Sequence, residues 1–154
     1  MREVYYKLRL PVDLLLLFVT GLLFAAGQLL IDLLYDPRYS AAGGFLQILA
    51  LSLFTVRYGV AIQVYIALGT TRYVAVVNFV RFLSLYTLVP ALFYLVGTQA
   101  VFWGVALHGL ATVPFIYAFN ARLGLVNWRR ELMVLLVLPI GFLSGSALNH
   151  FLAR

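Results

Sequence analysis

Five long runs of apolar residues, separated by short polar segments, dominate the hydrophobic pattern of this chain. The runs cover about residues 11–34, 41–68, 73–96, 100–121 and 131–152. Each run contains the roughly 20 residues that an α-helix needs to cross the hydrocarbon core of a bilayer. The pattern therefore predicts an all-α fold, a polytopic transmembrane helix bundle of five spans, with residues 1–154 forming one membrane domain.

The segment between the first two runs has the composition of an aqueous turn between membrane helices. Pro37 suits a turn corner, and Ser40 is placed to cap the helix that follows. Tyr35 and Tyr39 flank the turn, and tyrosine rings prefer the headgroup level of a bilayer. The sequence thus predicts a membrane-surface turn at residues 35–40.

The composition supports the membrane assignment and argues against several classes of function. The chain is 64% hydrophobic and 10% charged, whereas soluble domains are about 45–50% apolar and about 25% charged. Its net charge of +6 does not indicate nucleic-acid binding, because the basic residues lie mainly in short segments between apolar runs. Cysteine is absent and the two histidines are isolated. We therefore expect no disulfide, no metal site and no cofactor.

The basic residues also predict the orientation of the chain. Seven of them fall on the side of the N-terminus if there are five spans, and two fall on the other side. The first group is Arg2, Lys7, Arg9, Arg72, Arg122, Arg129 and Arg130, and the second is Arg38 and Arg154. Because cytoplasmic loops are enriched in Lys and Arg, the N-terminus is expected in the cytoplasm and the C-terminus outside.

Two arginines and an asparagine inside the apolar runs are the candidate functional residues, since polar groups at membrane depth are costly. Arg57 is the deepest charge, and its forked guanidinium suits a phosphate group in a cavity. Arg81 lies about a third of the way into the third run, where it could also snorkel to the surface. Asn78 precedes Arg81 by one turn.

Other polar positions predict helix contacts rather than chemistry. Asp13 and Asp32 lie at opposite ends of the first run, too far apart to form a carboxylate pair, although either could pair with an arginine of a neighbouring helix. A coupling role for Asp32 with protons or sodium is the alternative. His108 is expected to bond a neighbouring helix. Gly141 and Gly145 form a G-x-x-x-G spacing, which permits close helix contact.

The segment LLYDPRYSAAGGFLQILAL (33–51) resembles a turn between two helices in the polysaccharide-biosynthesis flippases of the multidrug/oligosaccharidyl-lipid/polysaccharide exporter superfamily. The chain departs from that pattern at Asp36, where glycine is usual. Further similarities follow in order: Ala67-Leu68-Gly69 with Arg72-Tyr73, then Asn78 with Arg81, Pro90, Gly97 with Gly104-Val105-Ala106, and Arg122–Leu125. Together they extend over nearly the whole chain.

The resemblance implies part of the second lobe of a flippase that has two six-helix lobes around a central cavity. It implies translocation of an oligosaccharide linked to a polyprenyl diphosphate across the bacterial cytoplasmic membrane, for polysaccharide or lipopolysaccharide biosynthesis. Arg57, Arg81 and Asn78 would then contact the pyrophosphate or an acidic sugar. The chain could be a gene fragment, a partner of a separate lobe, or half of a homo-oligomer.

Two other functions differ from transport in what they require of the sequence. A non-transporting scaffold or assembly subunit of a polysaccharide-export system needs no cavity, and its polar residues should lie only at helix contacts. A membrane-embedded glycosyl- or phosphotransferase is disfavoured, because the sequence has no paired acidic motif and no long polar catalytic loop. We therefore do not expect an enzyme.

Overall fold

A computed structural model describes residues 2–152 of the chain, with the side chains of residues 2–151. Its helices are α1 (Arg2–Leu34), α2 (Ala41–Ala50), α3 (Leu53–Val56), α4 (Gly59–Ala67), α5 (Thr71–Val96), α6 (Thr98–Leu107), α7 (Val113–Arg122), α8 (Trp128–Leu135) and α9 (Val137–Leu152). Short 3-10 helices form at Pro37–Tyr39 and His108–Thr112.

Five stretches of this chain are long and apolar enough to cross a membrane. In order, the five spans are Arg2–Leu34, Ala41–Ala67, Thr71–Val96, Thr98–Arg122 and Trp128–Phe151. The predicted all-α transmembrane bundle is confirmed, and the chain has the features of a multi-pass membrane protein. Arg154, which enters the charge count above, lies outside the described residues.

The first span begins at Arg2, well before the expected start near Pro11, so that Pro11 lies inside α1. A proline there removes one backbone hydrogen bond, which membrane helices tolerate when their surroundings compensate. Tyr5, Tyr6 and Arg9 are all buried, and their packing against the rest of the bundle holds the additional turns. Hydropathy alone did not reveal this extension.

Helix α1 is the centre of the bundle and packs along α9 on one side and α2 on another. Glycines allow α1 and α9 to touch at the backbone: a Cβ atom on Gly145 would lie 2.7 Å from the carbonyl oxygen of Leu22. A Cβ on Gly141 would collide with the carbonyl oxygen of Phe18, and one on Gly21 with that of Leu138. The close contact predicted from the G-x-x-x-G spacing is confirmed.

The second and fourth spans depart from regular α-helical hydrogen bonding near their middles, although the backbone keeps helical angles there. The second is interrupted at Leu51–Ser52 and again at Arg57–Tyr58, and the fourth passes through the 3-10 helix at His108–Thr112. These irregular segments meet, because a Cβ on Gly109 would lie 2.5 Å from Thr55 Oγ1. Stretches of 3-10 geometry within a longer helix often mark a hinge or a strained sequence.

The turn at residues 35–40 forms as expected, but its capping residue differs. Asp36 Oδ1 accepts a hydrogen bond from Arg38 N at 3.1 Å, and Pro37 begins the 3-10 helix. Ser40 makes no side-chain capping bond, because its backbone is already helical (φ −56°, ψ −32°). The prediction that Ser40 caps α2 was therefore wrong.

Candidate functional site

Four charged side chains meet inside the bundle, where they are almost completely shielded from solvent. Arg9 and Asp13 come from the first span, Arg57 from the second and Glu131 from the fifth. Arg9 and Arg57 are 0% exposed, Asp13 is 2% exposed and Glu131 is 4% exposed. We call these four residues the ionic cluster.

Glu131 makes the densest set of contacts in the ionic cluster. Its carboxylate accepts two bonds from Arg9, Nη1 to Oε1 at 2.6 Å and Nη2 to Oε2 at 3.0 Å. It also accepts from Tyr6 at 3.1 Å and from Tyr117 at 2.8 Å. This two-pronged pairing is the strongest arrangement available to an arginine and a carboxylate. It ties the first span to the fifth.

Arg57 lies on the other side of the same carboxylates, at the break between α3 and α4. Its Nη2 donates to the Tyr58 hydroxyl at 2.7 Å. Asp13 Oδ2 lies 4.0 Å from Nη1, and Glu131 Oε2 lies 4.0 Å from Nη2. Within residues 2–152, Arg57 Nε and Nη1 and Asp13 Oδ1 have no hydrogen-bond partner. Buried polar atoms of this kind are sites where ordered water commonly binds.

A network of neutral groups extends the ionic cluster toward one end of the bundle. Arg9 Nη1 donates to the Tyr5 hydroxyl at 2.9 Å, and Asn120 Nδ2 donates to the same hydroxyl at 3.3 Å. Tyr65 in turn donates to Asn120 Oδ1 at 2.8 Å. The cluster and this network together connect the first, second, fourth and fifth spans.

The ionic cluster is electrically balanced, with two guanidinium groups facing two carboxylates. Arg57 therefore has the anionic partners that its depth requires. The expectation that Arg57 faces a cavity is not met, because its side chain is enclosed by Asp13, Glu131 and Tyr58. Asp13 pairs most closely with Arg9 of its own helix, Nε to Oδ2 at 3.0 Å, and Arg57 of the neighbouring span approaches the same oxygen at 4.0 Å. This geometry favours a structural role for Arg57.

Sequence reasoning missed Arg9 and Glu131. Arg9 was counted among the basic residues on the side of the N-terminus, and Glu131 is the first residue of the fifth apolar run. With the helix beginning at Arg2, Asp13 lies eleven residues inside it, and Arg57 lies ten residues from Ala67, the end of the second span. At 1.5 Å per residue both lie roughly 15 to 17 Å along their helices from those ends. The available signal was the scarcity of acids, since only five occur in the chain.

Arg81 occupies a different place, a groove of about 400 Å³ between the second, third and fourth spans. The groove is lined by Ser52, Thr55, Val56, Gly59, Ile62, Arg81, Val105 and His108. We call it the Arg81 groove. The structure thus separates Arg81 from Arg57. Ser52 and Gly59 of the second span line the groove, whereas Arg57 does not.

The charge of Arg81 is not neutralised by the neighbouring side chains. Within residues 2–152 no carboxylate lies within ion-pairing distance of its guanidinium. The side chain is half-buried and lies ten residues after Thr71, where α5 begins, roughly 15 Å along the helix from that end. A half-buried cation inside an apolar span is a candidate site for an anionic group.

His108 borders the Arg81 groove, but its ring does not bond a neighbouring helix as predicted. Its Nδ1 lies 2.6 Å from the carbonyl oxygen of Val105 in the same span. The neighbouring helix instead contacts the backbone, because Ser84 Oγ donates to the His108 carbonyl at 3.0 Å. That bond satisfies a carbonyl at the irregular turn.

Asn78 and Asp32 do not join either group of residues. Asn78 is exposed on the surface of α5 and does not line the Arg81 groove. Asp32 is exposed and accepts two bonds from Gln28 Nε2, at 3.0 and 3.2 Å. The sequence-predicted site residues Arg57, Arg81 and Asn78 therefore occupy three separate environments.

The two polar groups in the bundle differ in what they can do chemically. The ionic cluster is enclosed and neutral, whereas the Arg81 groove is open and carries an unpaired cation. Comparison with models of known protein families, with curated proteins and with solved structures finds no match to this chain.

Proposed function

We propose that the chain is part of a transporter that moves an oligosaccharide linked to a polyprenyl diphosphate across the bacterial cytoplasmic membrane, in polysaccharide or lipopolysaccharide biosynthesis. The observation that carries this proposal is the unpaired Arg81 in an open groove at membrane depth. The pyrophosphate of such a substrate is an anion attached to a lipid. A groove open at the side of a bundle suits that combination, since the lipid chain can stay in the bilayer.

The backbone around the Arg81 groove supports the same proposal. Both irregular segments, residues 51–58 of the second span and 108–112 of the fourth, contribute lining residues. A stretch of 3-10 geometry inside a helix often marks a functional hinge, so the walls of the groove contain two positions at which the bundle could bend. The hydroxyls of Ser52 and Thr55 add hydrogen-bonding capacity, although each now donates to a carbonyl of its own span.

Replacement of Arg81 by glutamine tests this proposal in the native host. Deletion of the gene should stop surface polysaccharide export, and the wild-type chain should restore it. We expect Arg81→Gln to restore at most about a tenth of wild-type export, since loss of a charge-assisted contact to phosphate weakens binding by about 1.5–3 kcal/mol. Surface polysaccharide and accumulated lipid-linked precursor are the quantities to measure.

Arg72→Gln is the matched control, because Arg72 is an exposed arginine in the first turn of the same helix. This variant should export normally. Normal export by Arg81→Gln, with the gene itself required, would contradict an anion-binding role for Arg81 and favour the scaffold function. The purified Arg81→Gln chain should unfold at the wild-type midpoint, which separates loss of function from loss of fold.

We further propose that the N-terminus lies in the cytoplasm and the C-terminus outside, as the distribution of Lys and Arg indicates. Alkaline phosphatase fused after Arg154 should be active, because that enzyme folds only outside the cytoplasm. Green fluorescent protein fused there should be dark, and fused before Met1 it should fluoresce. A fluorescent C-terminal fusion with inactive phosphatase would reverse the orientation.

The scaffold function has one observation in its favour. The ionic cluster places its charges at contacts between helices, as expected of a subunit that needs only a stable bundle. A scaffold does not require the Arg81 groove. The export activity of Arg81→Gln therefore discriminates between the scaffold function and the transport function.

A further inference from the structure

A second cleft lies at the end of the bundle opposite the N-terminus, next to the turn at residues 35–40. Its volume is about 660 Å³, and it is bounded by the first, second and fourth spans. Its hydrogen-bonding residues are Gln28, Ser40, Thr98 and Gln99, and its aromatic residues are Phe45 and Phe102. We call it the outer cleft. The remaining lining is aliphatic or glycine.

The outer cleft differs from the Arg81 groove in its charge. Among the described residues, none of those that line it is acidic or basic. Three charges lie nearby: Arg38 and Asp36 form a pair at 3.7 Å on the exposed turn, and the Asp32 carboxylate accepts from Gln28 Nε2 at 3.0 and 3.2 Å. A ligand that matches this lining is therefore neutral, because a charged group would lose hydration without gaining an ionic partner.

The polar side chains of the outer cleft can both donate and accept hydrogen bonds. Two are amides and two are hydroxyls, and each of these groups has donor and acceptor capacity. Ser40 makes no capping bond to its own helix. Gln28 uses its Nε2 on Asp32 and on the carbonyl of Ser40, which orients its Oε1 toward Gly43. Groups with mixed capacity match the hydroxyls of a polyol, which also donate and accept.

Two stacked phenylalanines form the apolar part of the outer cleft. The ring centroids of Phe45 and Phe102 are 4.0 Å apart, with an angle of 23° between the ring planes. Both rings are half-buried. They lie four residues after the first residues of their helices, Ala41 and Thr98, so roughly 6 Å below the helix ends. A flat C–H surface of a ligand can pack on them while its polar groups reach the rim.

From these features we infer that the outer cleft binds a neutral sugar ring. A hexose combines a hydroxyl-rich edge with an apolar C–H face, which matches amide and hydroxyl side chains beside an aromatic pair. Binding in the cleft does not require transport. The natural source of the sugar, the oligosaccharide of the lipid-linked substrate arriving at the outer surface, rests on the proposed function.

Ligand-observed NMR tests this inference with the full chain in lipid nanodiscs. Saturation-transfer spectra are recorded with N-acetylglucosamine, galactose and rhamnose at millimolar concentrations, and empty nanodiscs provide the blank. At least one of the three sugars should give a signal that depends on the protein. Galacturonate, the charged counterpart of galactose, should bind no more tightly than galactose, because the lining carries no cation.

Two substitutions should weaken sugar binding, and a third should leave it unchanged. Gln99→Leu deletes an exposed amide of the cleft, and Phe102→Leu deletes half of the aromatic pair; each should weaken binding about 3- to 10-fold, the effect of one lost contact. Gln63→Leu is the matched control, since Gln63 is an exposed amide of the second span that does not line the cleft. Its sugar affinity should equal that of the wild type.

Three results would overturn the inference: no protein-dependent signal with any of the sugars, an equal loss in Gln63→Leu and Gln99→Leu, or a clear preference for galacturonate. The outcome is distinguishable from that of the export experiment. We expect Arg81→Gln to bind sugar as the wild type does while its export falls. A contradiction of the transport proposal therefore leaves the sugar site unaffected, and an absence of sugar binding leaves the transport proposal unaffected.

Discussion

Replacement of Glu131 by glutamine should destabilise the bundle by roughly 3–5 kcal/mol, the usual cost of removing one partner from a buried ion pair. The substitution preserves shape but removes the carboxylate that pairs with both Nη atoms of Arg9, so that Asp13, 3.0 Å from Arg9 Nε, is left to balance two guanidinium groups. Arg9 is 0% exposed, so its guanidinium cannot regain water without separating the first and fifth spans. Two tyrosines would also lose their charged acceptor.

Unfolding in mixed micelles with increasing dodecyl sulfate measures this effect. Trp128 provides the signal, because its ring stacks on that of Tyr117, with centroids 5.5 Å apart, next to Glu131. Glu3→Gln is the matched control: the Glu3 side chain is 73% exposed and pairs with Arg130 at 3.2 Å. An exposed pair contributes at most about 1 kcal/mol, so Glu3→Gln should unfold near the wild-type midpoint.

A double variant separates loss of charge balance from loss of packing. Arg9→Met with Glu131→Met removes one charge of each sign and leaves Asp13 with Arg57, 4.0 Å away, as its one partner in the cluster. It should be more stable than either single variant, because a buried pair replaced by apolar side chains is often tolerated. Equal stability of Glu131→Gln and the wild type would contradict the ionic cluster as the link between these spans.

Replacement of Gly141 by valine should destabilise the contact between the first and fifth spans by about 1–3 kcal/mol, the typical cost of overpacking. The new Cβ would collide with the carbonyl oxygen of Phe18, which is backbone and cannot turn aside. The helices must then move apart along an interface where Gly21 and Gly145 are also in close contact. Loss of close packing is costly in a bilayer, where association depends on such contacts.

The same unfolding assay measures the glycine variants. Gly44→Val is the matched control, since a Cβ on Gly44 would meet nothing within 4 Å and Gly44 is also helical. This variant should be neutral or slightly stabilising, because valine favours helix more than glycine does. A destabilisation of Gly44→Val as large as that of Gly141→Val would indicate a general effect of valine rather than a helix contact.

Asp13 shows which part of the ionic cluster the sequence predicts and which part it does not. Because the chain has only five acidic residues, the sequence alone identifies Asp13 as a possible partner for an intramembrane arginine. The sequence does not choose among the arginines, because depth depends on where the first helix begins. That start is decided by Tyr5, Tyr6 and Arg9, which are buried only once the other spans have packed around them.

The sequence by itself determined the number of spans, their approximate bounds and the close approach of the last helix to a neighbour. Those features follow locally, from the length of apolar runs that a bilayer demands and from glycine spacing. Only the tertiary structure decided that Arg57 is balanced by Asp13 and Glu131, while within residues 2–152 no carboxylate pairs with Arg81. Such pairings join residues far apart in sequence, 122 positions for Arg9 and Glu131, and they depend on which helices become neighbours.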